Sequence, residues 1–308
     1  MHASTRYALC TIETPTGSAP AIMVADKIWE LAEVAPNLDL AQGGLMALFE
    51  DWEASSKHLS ALAGDLAKGN HGVGVKAASL TFQTPLQFPP KIICAGTNYI
   101  DHIEAVGYSS FSKEDNIPAM FMKPPRTALV GPGKTVRFPT GSTQFDWEIE
   151  LGVVIGKEVP AGSKISSNLD MVAGYMTTLD MSARDFQRNP KHFAKSDLFM
   201  GKAFDSSAPA GPYFVPADFI DDPQNLTMKL WRNGKIEQDS NTSKMIWSVR
   251  ELLEIATANI SLEPGDLLLT GTPAGTGIES GIYADVGDVI EAEIENLGQL
   301  RVQIYAAE

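Results

Sequence analysis

The stretch FDWEIELGVVIG, residues 145–156, sets Asp146, Glu148 and Glu150 at alternate positions among Phe145, Trp147, Ile149 and Leu151. A β-strand repeats every two residues, so this spacing predicts three carboxylates on one face. Two readings follow. One is a solvated edge strand with ordinary acidic decoration. The other starts from Val153, Val154 and Ile155, which carry the strand into a core. Carboxylates gathered there lose hydration and repel one another unless a cation compensates. A hard divalent ion such as Mg²⁺ or Mn²⁺ prefers oxygen ligands and accepts waters in open positions. Two glutamates at i and i+2 supply part of a shell, and a third ligand must come from elsewhere. In TTLDMSARD, Asp180 sits where an apolar strand gives way to polar residues, a place that suits a ligand and equally a helix N-cap.

The rest of the chain limits the classes open to it. Its 308 residues suit one large domain or two unequal ones. With 44% hydrophobic and 20% charged residues it can build a sizeable core. A net charge of −14 disfavours nucleic acid and anionic membrane as partners, both being polyanions. Two cysteines, Cys10 and Cys94, allow at most one disulfide, and the low count points to a reducing compartment. The opening MHASTRYALCTIETPTGS has no long apolar run, so the expectation is a cytoplasmic protein with no membrane span.

Residues 1–80 read as a small N-terminal α+β domain. Tyr7–Ile12 and Pro20–Val24 are candidate strands joined by ETPTGS, and WELAEVAPNLD a short edge segment. Leu45 to Gly69 has apolar residues at helical spacing and ends in glycine. After the linker GNHGVG, residues 86–308 read as mainly β with few helices. Strand spacing there is too irregular for a βαβ series. The terminal VIEAEIENLGQLRVQI predicts a hairpin, with Ile290, Ala292 and Ile294 on one face and Glu291, Glu293 and Glu295 on the other. TGTPAGTG lacks the GKS/T ending of a phosphate loop, and no GxGxxG follows a strand.

The motifs GTNYIDH, FMKPPRTALVGPG, FDWEIELGVVIGK, LDMSARDFQ, GKAFDSSAPAGP and LLLTGTPAGTG resemble, in order and over about residues 90–304, the fumarylacetoacetate hydrolase family. They specify the family far more than the reaction. The resemblance implies a mixed β-sandwich or β-roll catalytic domain and assembly as a homodimer. It implies Mg²⁺ or Mn²⁺ held by Glu148, Glu150 and Asp180, with Asp146 at an acidic position that is not usually a direct ligand.

The same resemblance makes His102 a general base, a role a neutral imidazole beside a carboxylate can fill near pH 7. The family's hydrolases place a glutamate three residues after this histidine. Here that position is Ala105, and Glu104 lies two residues on, about 200° around a helix. Glu114 and Asp115 are other candidates to serve His102. Lys202, in GKAFDSS, matches a lysine near the metal that can hold a carboxylate or an enolate oxygen; the plainer reading is a salt bridge to Asp205 or another acid. Lys123, Arg184, Gln187 and Thr272 are expected at the substrate. Residues 103–118 are either a lid or a surface loop.

The activity this implies is hydrolysis of an acylpyruvate, a 2,4-dioxo acid, to pyruvate and a carboxylic acid. Because the dyad is irregular, two rivals stand close: an oxaloacetate-type decarboxylase and a 2-hydroxyhepta-2,4-diene-1,7-dioate-type isomerase. A non-catalytic scaffold is the alternative of another class. All the catalytic readings take a small 2-oxo acid as substrate.

Overall fold

The computed structural model describes residues 4–40, 43–107 and 110–306. The protein is mainly β with some α. Near the N-terminus a five-stranded sheet runs in the order Val75–Lys76, Lys27–Glu30, Gly17–Val24, Tyr7–Thr14, Phe82–Gln83. Its first hairpin pairs Tyr7 with Val24 through Thr14 with Gly17. The WELAEVAPNLD segment turns directly from the strand Lys27–Glu30 into a helical turn at Leu31–Val34, with Leu31 buried. The long helix expected from Leu45 begins instead as a 3-10 stretch, Gly44–Asp51. It becomes α-helical over Trp52–Ala67, where the Asp51 side chain accepts the Ala54 N–H at 3.0 Å. Asp51 competes for the backbone as a cap, so the helix restarts there.

A six-stranded sheet holds the centre. Its order is Val215–Pro216, Val172–Leu179, Ile149–Ile155, Leu267–Leu269, Ile92–Gly96, Ala119–Lys123. All neighbours are antiparallel except Leu267–Leu269 against Ile92–Gly96. A second five-stranded sheet comprises Lys235–Asn241, Thr227–Arg232, Val289–Ile294, Gly298–Ala306 and Thr135–Phe138. The C-terminal hairpin is as the alternation predicts, with Ile290, Ala292, Ile294, Leu300, Val302 and Ile304 buried.

The strand Ile149–Ile155 is buried at every residue, and each face has its own partner. Ile149, Leu151, Val153 and Ile155 pack with Met228, Leu230, Ile290 and Val302 of the second sheet. Val154 points the other way, into a core shared with Leu9, Ile22, Phe49 and Phe214. Burial on both faces explains the nearly continuous apolar run. The strand is not continuous with what precedes it, however. Phe145–Asp146 form a separate short strand paired with Ser182–Ala183, and the ladder is broken at Trp147 and Glu148. The solvated-edge reading of residues 146–150 is therefore wrong: Asp146, Glu148 and Glu150 are all buried. Among the described residues no helix is long and apolar enough to cross a membrane.

Candidate active site

Register brings the three expected ligands together. Ile149 pairs with Leu179, so Glu148 and Asp180 meet just beyond the paired ends, and the Asp180 N–H donates to the Glu148 carbonyl at 2.9 Å. Glu150 lies on the side of Leu267–Leu269, where its Oε2 accepts the Gly271 N–H at 2.7 Å. Gly271 has φ +92°, and a Cβ there would lie 2.7 Å from Asn98 Cβ, so only glycine lets this N–H approach. One oxygen of each of Glu148, Glu150 and Asp180 lies within 4.8 Å of the others.

Buried cations surround these acids. Lys202 ends the short helix Leu198–Lys202 and bridges Glu148 Oε2 at 2.5 Å and Asp180 Oδ2 at 2.7 Å. The salt-bridge reading thus holds with these two acids and not with Asp205, which lies 3.9 Å from Arg137. Arg184 donates to Asp146 Oδ2 at 2.8 Å and also to Glu148. Lys123 is 1% exposed and does not line the cavity, which corrects its expected place at the substrate. Its ammonium donates to the carbonyls of Met181, Lys202 and Ser207 and stands 2.6 Å from Asp180 Oδ1. Lys123 thus meets Asp180 Oδ1 as a buried ion pair while its protons serve the three carbonyls. Lys123 braces Asp180 from behind; its burial against backbone carbonyls is not readable from FMKPPR.

Four buried carboxylates (Asp146, Glu148, Glu150, Asp180) thus face three buried cations (Lys123, Arg184, Lys202). Burial opposes ionisation of Glu148, but Arg184 and Lys202 outweigh it and hold its carboxyl at about 2. Glu150 is pushed well above the usual carboxylate range, by burial and by Asp180 and Glu148 beside it. Burial acts to lower the Lys202 ammonium, yet Asp180 and Glu148 hold it above its ordinary value. Glu150 is therefore the acid of the cluster whose charged form is least supported. A clustered all-oxygen donor set, with Glu150 held by no cation of its own among the described residues, fits a hard divalent cation.

A cavity of about 360 Å³ opens over the cluster, lined by His102, Glu148, Glu150, Arg184, Gln187, Lys202 and Thr272 with apolar Ile103, Phe121, Leu198 and Trp247. His102 lies on the helix Ile100–Ala105. Its Nδ1 pairs with Glu279, from the short helix Gly277–Ser280, and not with Glu104, which is exposed on another side of its helix. Glu114 and Asp115 are exposed too, and Glu114 accepts from Ser112. Glu279 is itself fixed, since its Oε2 accepts the Gly275 N–H at 2.7 Å and its Oε1 the Thr276 hydroxyl at 3.1 Å. Sequence reasoning missed Glu279 because GTGIESG reads as a surface turn, and 177 residues separate it from His102.

Thr272 lines the cavity, but its hydroxyl donates to the Ile149 carbonyl at 2.9 Å and accepts from the buried Gln238 at 2.9 Å. Its backbone N–H has no partner among the described residues and is the group it can offer a ligand. In the 103–118 segment, residues 108 and 109 lie outside the described residues. Phe111, Asn116 and Ile117 line the cavity. The segment is tied down by Lys113 to Glu251 at 2.7 Å and by Phe111 edge-on to Trp247 at 6.0 Å.

Comparison with known proteins agrees with this geometry. Residues 91–305 match the family described as Fumarylacetoacetate (FAA) hydrolase C-terminal. The chain belongs to the fumarylacetoacetate hydrolase family. It is 36% identical over 233 residues to a mitochondrial oxaloacetate tautomerase of Xenopus laevis, covering 72% of this chain and 68% of the relative. It is 36% identical over 294 residues to 2,4-didehydro-3-deoxy-L-rhamnonate hydrolase of Sphingomonas sp. (strain SKA58), covering 92% and 91%. The crystal structure of maleylpyruvate hydrolase from Sphingobium sp. SYK-6 in complex with manganese(II) ion and pyruvate superposes with a TM-score of 0.76 at 28% identity, covering 98% of this chain and 100% of that one. These relatives of the fumarylacetoacetate hydrolase family are enzymes, and their reactions differ.

Proposed function

We propose that this protein is a divalent-metal-dependent hydrolase that cleaves the C3–C4 bond of an acylpyruvate to give pyruvate and a carboxylic acid. The observation that carries the reading is that His102, paired with Glu279, lines the same cavity as Glu148 and Glu150, which cluster with Asp180. The relative that aligns along nearly the whole chain supports it, because a 2,4-didehydro-3-deoxy acid carries carbonyls at C2 and C4 around a CH₂. Mn²⁺ and pyruvate in the maleylpyruvate hydrolase complex support the metal and the product.

Glu148, Glu150 and Asp180 would hold the ion, which when bound supplies Lewis-acid stabilisation of an enolate oxygen. With Nδ1–H held by Glu279, His102 Nε2 is left as the acceptor. It takes a proton from water while the oxygen adds to the C4 carbonyl. The C3–C4 electrons pass to the pyruvate fragment as its enolate. Imidazolium returns the proton to C3. Lys202 donates two of its three protons to Glu148 and Asp180, so the third can reach a substrate oxygen. Arg184 holds Glu148, and Gln187 lines the cavity beside it.

A second reading, keto–enol isomerisation of a 2-oxo acid, is favoured by the similarity to the oxaloacetate tautomerase. It needs proton transfer by His102 but no water attack. A product screen separates the readings. Mg²⁺- or Mn²⁺-loaded enzyme is offered acetylpyruvate, fumarylpyruvate, oxaloacetate and a 2-hydroxy-diene-dioate, with products resolved by mass. Hydrolysis adds water across the products, decarboxylation loses CO₂, and isomerisation leaves mass unchanged. Oxaloacetate turnover with both acylpyruvates untouched removes the hydrolase reading. We also propose a homodimer, supported by Phe193 (94% exposed) and Phe199 (75% exposed), two large apolar side chains in the segment that leads to Lys202.

A further inference from the structure

Asp146, the third carboxylate of the 145–156 stretch, takes no part in the metal cluster. It is fully buried and accepts four hydrogen bonds. Its Oδ1 accepts from the N–H groups of Trp147 at 2.8 Å and Gly277 at 2.6 Å, and its Oδ2 from Arg184 Nε at 2.8 Å and the Ile278 N–H at 3.1 Å. A carboxylate has about four lone-pair sites, so none remains for a metal. Two of the four donors are the first residues of the turn Gly277–Ser280, whose third residue is Glu279.

We infer that Asp146 is a positioning residue that fastens the Gly277–Ser280 turn to the metal-bearing segment and thereby sets where Glu279 holds His102. This rests on the reading of His102 and Glu279 as the base pair of the proposed hydrolase. The turn is stiff enough to transmit the constraint. Gly281 N–H closes on Gly277 carbonyl at 2.8 Å, and Glu279 is braced by Gly275 and Thr276. The approach is also tight. A Cβ on Gly277 would lie 2.5 Å from the Ile282 carbonyl oxygen and 2.8 Å from Asp146 Oδ1. Glycine at 277 is what lets the turn sit down on the carboxylate. Asp146 is followed two residues later by Glu148, so one short segment registers both the ligands and the base against each other. Without the carboxylate, two buried N–H groups of the turn lose their acceptor, and the turn has reason to shift toward other partners.

The test uses the full-length protein, Mg²⁺-loaded for proton NMR and kinetics and Mn²⁺-loaded only for paramagnetic resonance, and two variants that alter the contact from its two sides. Asp146→Asn keeps the shape but turns an amide NH₂ against either the Trp147 and Gly277 N–H groups or Arg184 and the Ile278 N–H. Gly277→Ala crowds both the Ile282 carbonyl and Asp146 Oδ1 and so unseats the turn without altering the Asp146 or Arg184 side chains. The primary readout is the downfield proton NMR signal of His102 Nδ1–H, assigned by its loss in Glu279→Gln. We expect both variants to lose or broaden this signal. We expect kcat to fall roughly 10²-fold, the scale of a misplacement near 1 Å, with KM little changed and Mn²⁺ affinity, read by paramagnetic resonance, intact. Retention of the signal and of kcat in both variants overturns the inference. Loss in Asp146→Asn with retention in Gly277→Ala also overturns it, because Asp146 would then act through Arg184. Loss of the signal with unchanged kcat leaves the positioning in place and instead removes His102 as the base. Should Asp146→Asn fail to fold by circular dichroism, Gly277→Ala decides alone, and an unaltered signal there overturns the inference.

Discussion

Replacing Glu279 by glutamine tests the base at its least expected point. The side chain keeps its shape but must choose an orientation. If the amide oxygen stays on the Gly275 N–H, the amine faces His102 Nδ1, which must then accept a proton. The proton moves to Nε2, the atom required to take one from water, and the base is lost at roughly 10²–10⁴-fold in rate. If the amide flips, the tautomer survives but two donors face each other at Gly275. That costs about 1–3 kcal/mol for an unsatisfied buried group. The neutral amide also supports the imidazolium less well than a carboxylate, by about 1–1.5 kcal/mol, the gap between charged and neutral hydrogen bonds. The flipped state therefore loses about 2–4.5 kcal/mol, or roughly 30- to 2,000-fold at 1.36 kcal/mol per decade. The enzyme follows whichever route is cheaper, so the expected fall in kcat for Glu279→Gln is about 10²–10³-fold. Release of pyruvate from an acylpyruvate, coupled to lactate dehydrogenase, measures it, with Glu104→Gln as the control. A Glu279→Gln enzyme within a few-fold of the parent, or an equal loss in Glu104→Gln, refutes the pairing.

Other outcomes follow from the buried charges. Mn²⁺ affinity should rise with pH beyond the range of an ordinary glutamate, because the Glu150 carboxyl stands well above that range and must lose its proton to bind; calorimetry across pH detects it, and an affinity flat above about pH 5 contradicts it. The pH dependence has a definite sign. Glu148, depressed to about 2, stabilises the fold above about pH 4.5 and loses that contribution as pH falls toward 2. Glu150, displaced upward, favours the fold below about pH 4.5 and withdraws that support as pH rises. Thermal melts of metal-free protein should therefore be higher at pH 5 than at pH 8, with Mn²⁺ narrowing the difference. Lys123→Met strands Asp180 beside three unmatched carbonyls and should cost about 3–5 kcal/mol in chemical denaturation. Thr272→Val should lower stability by about 1–3 kcal/mol while leaving KM nearly unchanged, since its hydroxyl serves Ile149 and Gln238.

The parts legible in the sequence are those where a local pattern is improbable unless it has a purpose. Carboxylates at 148 and 150 in an apolar run stand out because hydration would be lost there, and an aspartate ending the next long strand has few other places to go. The first hairpin is legible at Tyr7–Ile12 and Pro20–Val24, which the structure extends to Thr14 and back to Gly17 by narrowing the ETPTGS turn, and the C-terminal hairpin through its alternation. The break at Trp147–Glu148 is not, because the two-residue period of side chains runs straight through it. Lys123 looked like a ligand-binding group because a sequence shows a charge but not which side of a strand is solvent. Glu279 was hidden for a different reason. Its meaning depends wholly on His102, and nothing within the local stretch hints at a partner 177 residues earlier.

The place of Leu267–Leu269 has a consequence for how the chain comes off the ribosome. This strand lies between Ile149–Ile155 and Ile92–Gly96, although it is made more than a hundred residues after either. At synthesis rates of roughly 5–20 residues per second, the gap from residue 155 to 267 lasts about 6–22 s. Through that interval the two strands present facing, unpaired edges made almost entirely of apolar residues. Such edges are templates for pairing with another chain. The emerging polypeptide must keep a slot open in the middle of its sheet, and until the slot is filled it is most exposed to aggregation beside the carboxylates it will later use.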